Sequence, residues 1–155
     1  MGYLITPNRE GGQMADKEVH QKTKGGCLCG QVRFEIQGDL RDVVNCHCSK
    51  CRKFHGNYGA YTSVKIENLK FIRQESLKWF QSPSDETANV RRGFCSECGS
   101  SLFWHPKDQP NIAIAAGSLD SPTNLKTIGH IWCSQMPDFY TINDDLPQFK
   151  KRWTE

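Results

Sequence analysis

At 155 residues the chain is the size of one domain, able to bury a core that needs no covalent staples. Its formal charge of +3, from 20 Lys and Arg against 17 Asp and Glu, is too small and too dispersed for a nucleic-acid footprint, which calls for a clustered stripe on a strongly basic domain. No apolar run reaches signal-peptide length at the N-terminus or bilayer-spanning length elsewhere, so the expectation is a soluble, cytoplasmic protein with neither nucleic acid nor membrane as partner.

Residues 1–22 are polar, Gly-containing and aperiodic and read as a flexible lead-in; residues 23–150 read as one domain and 151–155 as a short tail. The domain opens with Gly25-Gly26-Cys27-Leu28-Cys29-Gly30, and Val32-Arg33-Phe34-Glu35-Ile36 then alternates with the period of a half-buried strand. If that strand extends backwards, Cys27 and Cys29 share a face. Val43-Val44 leads into Asn45-Cys46-His47-Cys48-Ser49-Lys50-Cys51-Arg52-Lys53-Phe54-His55-Gly56, where Ser49 suits a helix N-cap and nothing breaks a short helix before Gly56. Residues 60–64, 69–72 and 77–80 have the composition of meander strands. Residues 82–86 read as a loop, and 89–94 with 102–104 as a hairpin around Cys95-Ser96-Glu97-Cys98-Gly99. Residues 112–117 read as a buried strand and 130–133 as the last one, before a tail of loop with a brief helical turn. Short strands at regular spacing, without a long amphipathic helix, predict an all-β-rich domain.

Eight cysteines have the arithmetic of four disulfides, but that pattern belongs to short secreted chains with an export signal. The CxC and CxxC spacings look instead like metal-ligand pairs kept reduced. Cys95 and Cys98, on a turn closed by Gly99, combine with Cys27 and Cys29 into a four-thiolate zinc site; four ligands fill a tetrahedron, so this ion is structural. Cys46, Cys48 and Cys51 supply three ligands to a second ion, and sites that do chemistry keep three protein ligands and an open position. Cys133 leaves two outcomes: as a fourth ligand it closes that site, and as a small apolar core residue it leaves the position open. His47 is a further candidate for the position, although one residue between two ligand thiols on an extended chain faces away from them. His55 reads either as a hydrogen-bonded surface residue or as a proton shuttle. Lys50, Arg52 and Lys53 read as a solvated face or as receivers of a substrate carboxylate, and they place the nearby thiols in positive potential that favours thiolate. His130 and Trp104 read as core.

Gly25-Gly26-Cys27-Leu28-Cys29-Gly30, Cys46-His47-Cys48-Ser49-Lys50-Cys51-Arg52, Phe94-Cys95-Ser96-Glu97-Cys98-Gly99-Ser100 and His130-Ile131 followed by Asp144-Asp145-Leu146-Pro147-Gln148-Phe149 together resemble the glutathione-dependent formaldehyde-activating enzyme family, which also takes in centromere protein V. The match in order and spacing runs from about residue 23 to 150. The resemblance implies an Mss4-like fold of twisted antiparallel sheets with zinc knuckles. It also implies a structural zinc on Cys27, Cys29, Cys95 and Cys98 and a catalytic zinc on Cys46, Cys48 and Cys51, two ions per chain. The implied activity is a zinc-dependent carbon-sulfur lyase that adds a small thiol such as glutathione to formaldehyde or a related aldehyde, or reverses that addition. The segment Cys133-Ser134-Gln135-Met136-Pro137 departs from the Lys-Ala-Pro-Trp pattern commoner in the family. Two other readings stand beside this one. The first is a non-catalytic, zinc-stapled protein-binding module, which requires a closed second site; the other is a metal-free thiol redox protein using the same trio.

Overall fold

The alternation in residues 32–36 becomes a strand whose inward side chains are almost wholly buried, Phe34 and Ile36, while Arg33 and Glu35 face outward. The computed structural model describes residues 22–82 and 87–153. In it, β1 (Lys22–Gly26) and β5 (Leu69–Arg73) flank β2 (Arg33–Gln37) on either side, all antiparallel, as a three-stranded sheet. Gly25 lies opposite Phe34, and a Cβ there would sit 2.6 Å from the Phe34 ring and 2.7 Å from the Ser118 carbonyl, so the close approach requires glycine.

The second sheet has seven strands: β3 (Val43–Cys46), β4 (Gly59–Lys65), β6 (Leu77–Gln81), β7 (Val90–Cys95), β8 (Ser101–Pro106), β9 (Asn111–Ala115) and β10 (Thr127–Ile131), in the order β10-β3-β4-β9-β8-β7-β6. Its two faces do different work. One face carries Val64, Ile112, Ile114 and Phe103 into a core shared with Phe34 and Ile36. Phe103 is its centre, with ring centroids 5.2 Å from Phe34, 5.6 Å from Phe71 and 5.8 Å from Trp79. A register shift between Gly93 and Phe94 lets the adjacent residues Leu102 and Phe103 both be fully buried, which regular alternation forbids. Across the strands, Val44 pairs with Tyr61, Trp104 with Ala113, and Arg92 with Trp104, so these residues share the opposite face with Cys46, two places on from Val44. That face forms the floor of the site.

The single helix among the described residues, α1 (Ser49–His55), ends on Gly56 at φ 88°, whose N–H bonds the Arg52 carbonyl at 2.8 Å. After β10, residues 147–151 run along its free edge: His130 N–H donates to Pro147 O, Phe149 N–H to His130 O, and Trp132 N–H to Lys151 O, at 2.7–2.8 Å. This blunts a sheet edge that would otherwise be open to pairing.

The all-β-rich class and the twisted sheets are as the sequence predicts, consistent with an Mss4-like fold. Several local expectations differ. Pairing is antiparallel except between β10 and β3, which run parallel. The expected meander over 60–80 is split, because β5 leaves to join β2 while β4 and β6 stay in the larger sheet. Cys27 and Cys29 lie in a turn between β1 and β2, not on one extended strand: Gly30 N–H reaches Cys27 O at 3.1 Å and Gly30 takes φ 78°. The helix is capped by Cys48, not Ser49, because the Cys48 sulfur accepts from Cys51 N–H. The lead-in expected over 1–22 lies outside the described residues except for Lys22, which opens β1, and most of the loop at 82–86 lies outside them too. No helix among the described residues is long and apolar enough to cross a membrane.

Candidate metal centres

Two turns meet to form the first sulfur cluster. Cys27 and Cys29 come from the β1–β2 turn; Cys95 ends β7 and Cys98 follows in a tight turn where Gly99 N–H bonds Cys95 O at 2.9 Å with φ 72° at the glycine. All four sulfurs lie within 4.8 Å of one another, with Cys27 to Cys29 at 3.5 Å and Cys29 to Cys95 at 3.7 Å. Zinc–sulfur bonds of about 2.3 Å in a tetrahedron place sulfurs about 3.8 Å apart, so the group fits that ion. Its sulfurs also make hydrogen bonds: Val32 N–H donates to Cys27 Sγ at 3.2 Å, and the Ser100 hydroxyl, itself accepting from Leu28 N–H, lies 3.2 Å from Cys98 Sγ. The Ser100 hydroxyl and amide bring the Cys98 thiol down to about 5. Outer hydrogen bonds of this kind orient ligands and favour the thiolate.

The second cluster sits where β3 hands over to α1. Cys46 is the last residue of β3, Cys48 is the helix cap, and Cys51 lies one turn into the helix; their sulfurs also fall within 4.8 Å. Cys51 N–H donates to Cys48 Sγ at 3.4 Å, and Arg92 Nη1 to Cys51 Sγ at 3.8 Å. Thiol protons from Cys46 and Cys51, with the amides of Cys51 and Lys50, draw Cys48 down to about 2, while the same bonds push Cys46 up. Cys46 and Cys51, both pushed up, therefore hold protons that a bound cation would displace.

Among the described residues no fourth metal-ligating side chain joins the trio. Cys133 is half-buried at the head of a short 3-10 turn, Cys133–Gln135, and lies outside the group; it is not the buried core residue of one sequence reading. His47 faces away, as its place between two clustered thiols predicts. Its Nε2 lies 2.9 Å from His130 Nδ1, and His130 Nε2 lies 3.1 Å from the Asp144 carboxylate. The carboxylate only accepts, so His130 carries its proton on Nε2 and accepts on Nδ1 from His47 Nε2–H. His47 Nδ1 is then a bare, buried lone pair without a partner among the described residues. Both rings are almost completely buried, and His47 N–H also bonds Ile131 O, so this chain pins the loop bearing Cys46 and Cys48 to β10.

The trio opens on a cavity of about 780 Å³. Its floor is the outer sheet face, with Val44, Trp104, Ala113 and Ile131; Trp132 and Trp153 come from the segments after β10. Arg41, Lys50, Arg92 and Arg152 line it, and no Asp or Glu among the described residues does. Tyr61 lines it as well, with its hydroxyl 2.6 Å from His55 Nε2. Ser49 N–H bonds Gln135 Oε1 at 2.9 Å, which ties the helix start to the turn across the cavity. Of the three cations expected near the cluster only Lys50 lines the cavity; Lys53 is exposed, and Arg92, 2% exposed, supplies the guanidinium at the sulfurs. His55 is held against Tyr61, and Trp104 is cavity wall where core was expected. Sequence reading missed Arg41, Tyr61, Arg92, Trp132, Arg152 and Trp153. A buried arginine on a strand face was the one signal available, and it becomes visible only once strand register is known.

Residues 22–135 match the model of a family described as glutathione-dependent formaldehyde-activating enzyme. The crystal structure of a Rhodobacter sphaeroides protein superposes with a TM-score of 0.54 at 26% identity, covering 69% of this chain and 98% of that one. The chain belongs to the glutathione-dependent formaldehyde-activating enzyme family.

Proposed function

We propose that the protein is a zinc-dependent carbon-sulfur lyase that adds a small thiol such as glutathione to formaldehyde or a related small aldehyde, or releases them. Cys27, Cys29, Cys95 and Cys98 hold a structural zinc, and Cys46, Cys48 and Cys51 hold a catalytic one. The observation that carries the reading is the trio of sulfurs with no fourth donor among the described residues, set in the wall of a cavity that is large enough for a substrate. Zinc at the trio supplies a Lewis acid that lowers the pKa of a substrate thiol.

The chain's own groups do the rest. Arg41, Lys50, Arg92 and Arg152 draw and orient the carboxylates of the thiol. Half-buried Trp104 and Trp132 exclude water from the reacting sulfur. In the addition, the thiolate sulfur attacks the carbonyl carbon, the carbonyl π pair moves to oxygen, and that oxygen takes up the proton the thiol gave up. No oxidant or reductant is needed. Membership of the family supports the substrate pair, and the open trio favours this reading over a closed, purely structural second site.

The test is exchange spectroscopy of formaldehyde with glutathione, with and without protein carrying stoichiometric zinc. Acceleration by the loaded protein is the expected result; exchange at the background rate removes this substrate pair.

A further inference from the structure

Apolar wall and thiol trio form one packed cluster. Trp104, Ala113, Ile131 and Trp132 pack against the group formed by Cys46, Cys51, Tyr61 and Ala115, so one side of the cavity at the trio is apolar while Arg92 stands at Cys51. Both indoles are only half-buried and line the cavity. Trp132 is held with φ 60° and ψ 33°, a left-handed conformation unusual for a bulky residue, fixed by its N–H to Lys151 O at 2.7 Å and by Cys133 N–H to Phe149 O at 3.0 Å. Backbone strain of this kind persists where surrounding structure over-determines it, and it clusters at ligand sites. A one-carbon aldehyde leaves most of this wall uncovered, since a hydroxymethyl group is far smaller than two indoles together with Ala113 and Ile131. Water left against it gains nothing, whereas an apolar group seated on it is removed from water.

We infer that the site is built for aldehydes whose carbonyl carbon bears an apolar group of about ring size, aryl or alkyl, so that the thiol adduct lays this group on Trp104, Ala113, Ile131 and Trp132. This rests on the thiol–aldehyde reading and names the class of aldehyde. The step balances as before: one carbon-sulfur bond forms, the carbonyl π bond is lost, and the thiol's proton ends on the new hydroxyl. The cavity's cations serve the carboxylates of the thiol, so the anionic and apolar parts of the adduct meet different residues.

Binding of stable thioethers tests this without turnover. S-benzylglutathione and S-methylglutathione are titrated into the zinc-loaded protein and followed by tryptophan fluorescence and calorimetry. S-benzylglutathione is expected to bind at least tenfold more tightly. Trp104→Ala should remove most of that difference while weakening S-methylglutathione by less than twofold. Should Trp104→Ala fail to fold, Ala113→Leu, which fills the floor, should block the benzyl compound selectively. Equal affinities in the unsubstituted protein overturn the assignment of aldehyde class and leave the thiol–aldehyde reading to the formaldehyde exchange measurement. Failure of both compounds to bind also overturns the assignment of aldehyde class and leaves the thiol–aldehyde reading to the exchange measurement, since a thioether has no thiol proton to give up.

Discussion

Cys29 of the four-sulfur group is exposed, and its partners sit in turns closed by glycines at positive φ; Cys46 and Cys51 of the trio are buried where a strand passes into a helix beside a cavity. The ligand type is the same, so the difference lies in what surrounds the sulfur. The four-sulfur group joins the β1–β2 turn to the β7–β8 turn and thereby clamps the two sheets together. The trio is held by the sheet, the helix and the histidine pair, and among the described residues no fourth donor joins it. Under the proposed reading one cluster holds the fold and the other does chemistry, and single substitutions separate the two.

The largest expected effect is at the clamp. Cys95→Ser should leave the chain unable to fold, since structural zinc in small domains contributes on the order of 10 kcal/mol or more, comparable to the whole stability of a domain. Cys48→Ser should instead keep a cooperative melt, bind one zinc against the two expected of the unsubstituted protein, and lose the proposed exchange activity. Circular dichroism and elemental analysis read both. A folded Cys95→Ser or an unfolded Cys48→Ser would break the division of labour.

The histidine chain sharpens the comparison from the other side. His130→Ala leaves His47 Nε2 buried without its partner, a loss of about 1–3 kcal/mol in stability. It also loosens the loop that carries Cys46 and Cys48. Metal at the trio should weaken by roughly 10–100-fold, as when outer hydrogen bonds to ligands are cut, while the four-sulfur group keeps its ion. Competition against a chelator, followed with cobalt in place of zinc, resolves the two sites; equal weakening at both would assign these histidines a global role.

Acid should act on the same neighbourhood. Burial, with Arg92 adding to it, lowers His55 to about 4, and burial lowers His47 to about 4 as well, both from 6.5. Between these values the unfolded chain binds protons that the folded one refuses, so stability rises with pH across this window. Their contribution is fully present above about pH 6.5 and is lost as the pH falls toward 4. His55→Gln should flatten that slope in urea midpoints measured at pH 7.5 and 5; an unchanged slope would assign the acid loss to His47 or the thiols.

The sequence made the sulfurs legible because ligand spacing is local: CxC and CxxC need only a turn, and Gly30 and Gly99 mark those turns. Alternation in residues 32–36 was equally local. What escaped was set by pairing across the chain. The cavity's cations come from the segment before β3, the helix, β7 and the stretch after β10, and nothing in their spacing says that they converge. The parallel match of β10 to β3, which sets Ile131 beside Cys46, has no signature in either strand. Ser49 was the better N-cap by propensity, yet the cap fell to Cys48, because the geometry that gathers the three sulfurs places that side chain at the first open amides of the helix.

The smallest expected effect is also the most decisive for the comparison. Cys133 is half-buried, heads a short turn through its N–H to Phe149 O at 3.0 Å, and lies outside the three-sulfur group. Serine is nearly isosteric and leaves the backbone bond intact, so Cys133→Ser should shift stability by no more than about 0.5 kcal/mol and leave zinc content unchanged. Melting temperature and metal stoichiometry check this directly. Loss of one zinc per chain would mean that Cys133 swings onto the trio in solution and completes its tetrahedron. Both clusters would then be structural, no position would remain for a substrate sulfur, and the cavity beside the trio would need another occupant.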